Sequence, residues 1–113
     1  MGYRKASTDD VDSVIDDGGM WFLKGALDTD HLGVTILELP AGGQGMPHDE
    51  ADSGQEEVYV CVDGEVSFDV DGETVTLGPR EALRVDAATE RVVRNEGDVP
   101  AELVIVGAPT SAD

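Results

Sequence analysis

Two Asp-Gly pairs, Asp63-Gly64 and Asp71-Gly72, cut the middle of this chain into short apolar runs. Asp-Gly between alternating hydrophobic residues is a strong hairpin signal, because both residues tolerate the positive φ of a tight turn. Between the pairs, Val66-Ser67-Phe68-Asp69-Val70 alternates apolar and polar, the pattern of a strand with one buried face. Thr74 to Leu77 reads as its partner, stopped by Gly78-Pro79, and Val58 to Val62 as the strand before the first turn. Further strands are expected over Met20–Leu27, Leu32–Leu39, Glu81–Val85, Arg91–Arg94 and Glu102–Val106, with a small-residue tail from Gly107 to Asp113. Ser7-Thr8-Asp9-Asp10 offers N-caps for one short helical turn reaching Val14 or Ile15. No helix longer than about two turns is predicted. Many short strands at a spacing of roughly 8–12 residues point to an all-β sandwich, jelly roll or closed barrel.

A chain of 113 residues reads as one domain, 1–113, with residues 1–20 as a lead-in segment. Its hydrophobic share is 40% and its aromatic share only 4%, so the core must rest on Val, Leu, Ile and Ala. The single cysteine, Cys61, excludes an intrachain disulfide and fits a small buried hydrophobe in mid-strand. Trp21 and Phe22 are expected as core or subunit-interface anchors, and His31 as a turn residue. Met1 to Asp12 has no apolar leader core, and no segment approaches the roughly 18 apolar residues of a membrane span. The expected setting is cytoplasmic.

Charge narrows the partners. The formal net charge is −18, and Lys5 and Lys24 are the only lysines. Such a field repels phosphate backbones and anionic membranes, so no nucleic-acid or membrane partner is expected. The acidic run Asp9 to Asp17 lacks the ligand alternation and terminal Glu of an EF-hand and reads as a solvated face. Ala41 to Pro47 is Gly-rich, but it lacks the Gly-Lys-Ser/Thr ending of a phosphate loop and reads as a connection between strands.

The stretch Gln55-Glu56-Glu57-Val58-Tyr59-Val60-Cys61-Val62-Asp63-Gly64 resembles the first motif of the cupin family, over a core spanning residues 32–106. Cupins usually have two histidines one residue apart, a glutamate about four residues on, and a glycine seven further. Glu57 and Gly64 match that Glu and Gly in type and spacing. Counted back from Glu57, Glu50 and Asp52 stand where the histidines would be; with a turn two residues longer, His48 and Glu50 do. In the second motif Asn95 matches, Arg91 takes the place of the metal-binding histidine, Asp86 that of the proline, and Ala88 and Arg80 those of glycines. The resemblance implies an all-β, single cupin-like jelly-roll (double-stranded β-helix) barrel with a short N-terminal segment, and a homodimer as in many small cupins.

Three readings of the barrel interior follow. His48, Glu50 and Glu57 are the metal-ligand set, oxygen-rich and suited to a hard cation, but Arg91 cannot ligate and would repel the ion. In a metal-free site, Arg91 instead pairs bidentately with Glu57 or Glu50 as an internal counter-ion. In a third, Arg91 is partly free to hold a small anionic ligand such as a carboxylate at the barrel mouth. Tyr59 and Cys61 share the inward face of Glu57, so Tyr59 adds a hydroxyl and an aromatic wall, or simply packs. The expected function is a small-molecule-binding barrel of unassigned ligand, metal-free, with Arg91, Glu57, Glu50 and Tyr59 as ligand-binding residues. The alternative is a divalent-metal-dependent enzyme of isomerase, dioxygenase or decarboxylase type, holding Mn, Fe, Ni or Zn through His48, Glu50 and Glu57. No catalytic residue is singled out.

An acidic, lysine-poor surface also suits a salt-rich cytoplasm, where self-repulsion is screened over a few Å. The expected outcome is a melting temperature that climbs steadily with KCl. A protein equally stable without salt contradicts a halophilic origin.

Overall fold

A computed structural model describes residues 2–110; Met1 and the last three residues of the expected tail lie outside it. Among the described residues, eight strands form two antiparallel sheets: β1 (Gly19–Phe22), β2 (Gly33–Leu39), β3 (Gln55–Asp63), β4 (Val66–Val70), β5 (Glu73–Leu77), β6 (Ala82–Val85), β7 (Arg91–Arg94) and β8 (Ala101–Pro109). The larger sheet runs β1-β2-β8-β3-β6 and the smaller β5-β4-β7. This is the all-β jelly roll that the strand spacing and the motif resemblance imply.

Strand alternation builds the core between the sheets. In β3 Tyr59 and Cys61 turn inward, in β8 Ala101, Leu103 and Ile105, in β2 Leu37 and Leu39, and in β4 Val66 and Phe68. The Tyr59 ring meets Phe68 of the opposite sheet edge-on, with centroids 4.8 Å apart. Cys61 is fully buried, and burial pushes its thiol pKa up, which suits packing rather than nucleophilic chemistry.

The two Asp-Gly turns behave differently. Asp71 (φ 48°) and Gly72 (φ 85°) both adopt positive φ, and β4 and β5 pair across them in a tight hairpin. Asp63-Gly64 does not close a hairpin: β3 pairs with β6 and β8, whereas β4 pairs with β5 and β7. Gly64 (φ 78°) instead carries the chain from one sheet to the other, so close to the β8 entrance that a Cβ would lie 2.8 Å from the Pro100 carbonyl. Asp-Gly specifies a sharp reversal, and pairing on either side of it is decided by the rest of the fold.

Three further expectations are corrected. The strand expected over Met20–Leu27 ends at Phe22, and Lys24–Leu27 is a helical turn, α1, closed by Asp28 in the left-handed region (φ 56°). A single turn is too short for hydrophobic periodicity to distinguish from a strand. The N-terminal helical turn covers only Thr8–Asp10, held by a capping box in which Ser7 Oγ accepts from Asp9 N and Asp10 Oδ2 accepts from Ser7 N. The tail begins later than expected, because β8 continues to Pro109, opposite Gln55 of β3. Of the two places expected for Trp21 and Phe22, the buried core does not hold them: Trp21 is partly exposed and Phe22 exposed.

The two turn glycines give a paired prediction. Gly64→Ala combines positive φ with contact against the Pro100 backbone and should cost about 2 kcal/mol or more in urea unfolding. Gly72→Ala meets no atom within 4 Å, so it should cost only the backbone strain, about 1 kcal/mol. Equal losses would mean that the crossover at Gly64 is not packed against β8.

Candidate functional site

The segment between β2 and β3 is irregular in appearance but pinned along β7. Gly42 N donates to the Asn95 carbonyl, Asn95 N to Gly43, Gly45 N to Val93, and His48 and Arg91 exchange both backbone hydrogen bonds, at 3.0 and 2.9 Å. The buried Asn95 amide locks the far end of this ladder, donating to Leu39 and Val99 carbonyls while its oxygen accepts from Gly97 N. This ladder places His48 directly across from Arg91. It therefore settles which side chains of residues 48–53 turn toward the barrel: His48 and Glu50 lie beside Glu57, while Asp52 sits exposed in the turn before β3.

Behind these residues the barrel encloses a cavity of about 360 Å³. Its walls are largely apolar, from Met20, Leu37, Leu39, Val93 and Ile105, with Phe22 and Met46 at the rim. Phe22 is 51% and Met46 84% exposed, so the mouth opens to solvent between apolar side chains. The ionisable groups on the wall are His48, Glu57, Tyr59 and Arg91. Glu50 is not on the wall; it stands beside His48, whose Nε2 is 3.7 Å from Glu50 Oε2 and 3.6 Å from Glu57 Oε1. The apolar wall residues were not singled out from sequence. The alternation of β2 and β8 carries that signal, since inward positions of a barrel end either in core or in cavity.

Arg91 is the deepest of these groups, with 1% of its side chain exposed. Its Nη2 donates to the carbonyls of Asp86 (2.9 Å) and Val85 (3.5 Å). Its Nε and Nη1 have no hydrogen-bond partner among the described residues. The expected bidentate pair with a pocket carboxylate is not formed: Nη1 stands 4.0 Å from Glu57 Oε1, and Glu50 makes no ion pair with it. The bidentate guanidinium–carboxylate pair of this sheet lies on its other face, between Arg94 and Asp69, where the hydrogen bonds from Arg94 hold the Asp69 carboxyl below its ordinary pKa. Inside, the Glu57 carboxylate is occupied by the Tyr59 hydroxyl, which donates to Oε1 at 2.8 Å. Tyr59 therefore does more than pack.

Each of His48, Glu50 and Glu57 brings a ligand atom to within 4.8 Å of the others. His48 Nδ1 lies 3.2 Å from the Met46 carbonyl, which directs Nε2 at the two carboxylates. The cluster is thus shaped like three corners of a cation site. Arg91 stands nearest to completing it, and a guanidinium cannot ligate. A divalent ion on Glu57 would lie within a few Å of a buried, permanent positive charge. The residues present do not fit the three-imidazole metal centre usual in cupins.

Burial, and next the Glu57 carboxylate, raise the Tyr59 pKa well above its ordinary 10.0. A phenol whose folded pKa is raised keeps its full stabilisation below the unfolded value and loses it as pH climbs above that value. Stability should therefore begin to fall near pH 10 in wild type, and this component should be missing in Tyr59→Phe. In the folded protein, alkaline titration of phenolate absorbance should be the same for both. Tyr59→Phe should also cost about 1 kcal/mol at neutral pH for the lost hydrogen bond. A Tyr59→Phe variant with a smaller phenolate signal in the folded range would contradict this burial.

A search of the curated proteins finds none similar in sequence. The fold is similar to that of a cupin protein from Bacteroides fragilis, with a TM-score of 0.82 and 22% identity over 100% of this chain and 89% of that one. A protein from Thermotoga maritima described as a predicted oxalate decarboxylase gives 0.77 and 19% identity, covering 93% of this chain and 98% of that one. The cupin domain of an XRE family transcriptional regulator from Enterobacter cloacae gives 0.74 and 20%, covering 85% and 100%. At these identities the likeness shows the fold, and the described roles of such neighbours differ. The family model for the cupin domain matches residues 35–107, so this chain belongs to the cupin family.

Proposed function

We propose that this protein is a small-molecule-binding cupin in which the fixed guanidinium of Arg91 stands in place of a metal ion. The observation that carries this reading is the cavity itself. It measures about 360 Å³ and has mostly apolar walls, within the range of small-molecule sites. Its inner end carries Arg91, whose Nε and Nη1 lack partners. Buried polar groups are nearly always hydrogen-bonded, and leaving one unpaired costs about 1–3 kcal/mol, more for a charge. A ligand bearing an acceptor would satisfy those donors and recover that cost. The apolar walls would hold its body, with affinity set by the area withdrawn from water.

The second reading is a divalent-metal cupin enzyme, favoured by the convergence of His48, Glu50 and Glu57 within 4.8 Å. The charge of Arg91 weighs against it.

A melting-temperature screen separates the two. Under the first reading, members of a panel of small organic acids raise the melting temperature with concentration, as mass action requires, and chlorides of Mn, Ni and Zn do not. Near-stoichiometric metal in the purified protein, lost in Glu57→Ala, would reverse the assignment and make His48, Glu50 and Glu57 a working ligand set.

A further inference from the structure

The cavity wall carries one buried cation and one carboxylate, held apart. Arg91 Nη1 and Glu57 Oε1 are 4.0 Å from each other, beyond the roughly 2.7–3.2 Å of a hydrogen bond. Arg91 has two donors without partners. Glu57 is 16% exposed, against 1% for Arg91, so the carboxylate lies nearer the mouth than the guanidinium. The third ionisable group on the wall, the His48 imidazole, is 45% exposed and stands between two carboxylates, with Nε2 3.7 Å from Glu50 Oε2 and 3.6 Å from Glu57 Oε1. Deeper than His48, Arg91 and Glu57 stand as a separated ionic pair at the head of a largely apolar chamber.

A simple carboxylate answers only half of that arrangement. It would satisfy Arg91 and at the same time press a negative charge against Glu57, in a protein whose formal net charge is −18. A simple amine would satisfy Glu57 and leave Arg91 orphaned, with a second positive charge beside the guanidinium. A head group that accepts on one atom and donates from the next answers both. In an α-amino acid the carboxylate oxygen and the amino nitrogen sit within about 3 Å of each other by standard backbone dimensions. That span can lie alongside the 4.0 Å gap between Arg91 Nη1 and Glu57 Oε1, carboxylate toward the guanidinium and ammonium toward Glu57, giving one charge-assisted hydrogen bond at each end. The zwitterion adds no net charge to the site.

Resting on the small-molecule reading above, we infer that the cavity takes α-amino acids with an apolar side chain. The α-carboxylate binds Arg91 Nε and Nη1, the α-ammonium binds Glu57, and the side chain lies along Leu37, Val93 and Ile105. Tyr59 is a positioning residue here: its hydroxyl, 2.8 Å from Glu57 Oε1, fixes the carboxylate that the ammonium meets.

Calorimetric titration of the whole chain with three matched probes tests this: L-leucine, 4-methylpentanoate, which lacks the amine, and 3-methylbutylamine, which lacks the carboxylate. The expected result is that leucine binds at least about tenfold more tightly than either, because each truncation leaves one charged group unpaired. In Glu57→Gln the preference for leucine over 4-methylpentanoate should collapse, while in Arg91→Met the preference over 3-methylbutylamine should. The wild-type panel stands alone if a variant fails to fold. Equal or tighter binding of 4-methylpentanoate overturns the amino-acid inference and leaves the small-molecule reading in place. Absence of binding by all three probes overturns the amino-acid inference alone, and stabilisation by divalent chlorides with no response to any probe overturns both.

Discussion

The interior of this barrel is organised around one buried cation. Withdrawing a guanidinium from water is expensive, by several kcal/mol even after relaxation, and is offset only by close, well-aligned partners. Arg91 has them on one side only, where Nη2 rests on the Val85 and Asp86 carbonyls. Those carbonyls end β6, so the contact anchors the turn between β6 and β7 to the side chain that opens β7. On its other side the guanidinium meets the Tyr59–Glu57 pair across 4.0 Å without a hydrogen bond. The fold tolerates this because the backbone of Arg91 is fixed by the reciprocal ladder with His48, which leaves its side chain no route to solvent.

The same ladder explains how much of the site was legible. Glu57, Tyr59 and Cys61 could be placed on one face from strand period alone, and they share it. Period also separates Arg91 from Arg94: three residues apart on one strand, they face opposite ways, so only Arg94 reaches Asp69 on the outer face of β4. Reading Arg91 as half of a bidentate pair assumed that a buried arginine finds its ideal partner, and here that geometry belongs to the outer arginine. The position of His48 was not legible. Gly-rich loops have no hydrophobic period, and the register of residues 48–53 is set by backbone hydrogen bonds to β7, which no side chain in that stretch announces.

Turn chemistry shows the same division. Asp71-Gly72 was legible as a hairpin because alternating runs of equal length flank it and pair across it. Asp63-Gly64 carries the same dipeptide, yet its flanking strands belong to different sheets. Local sequence fixes the conformation of a reversal, and global sheet order fixes what it joins. Arg80 makes the point from the other direction. It holds a left-handed conformation (φ 70°) without being glycine, so the surrounding turn imposes a backbone shape that its own sequence does not favour.

A guanidinium in place of a metal ion changes what such a pocket can do, beyond what it can hold. A metal presents open coordination positions and lowers the pKa of what it binds. A guanidinium presents fixed donors, stays protonated and offers neither. Whatever enters this cavity is therefore oriented by hydrogen-bond geometry, between a cation and a carboxylate that cannot reach each other directly. Groups able to move a proton there are His48 and Glu57, which approach within 3.6 Å at the mouth side of Arg91. Under the proposed reading, a site of this kind recognises charge patterns on a ligand. Its selectivity should thus reside in the spacing of Arg91 and Glu57, and its capacity in the apolar chamber behind them.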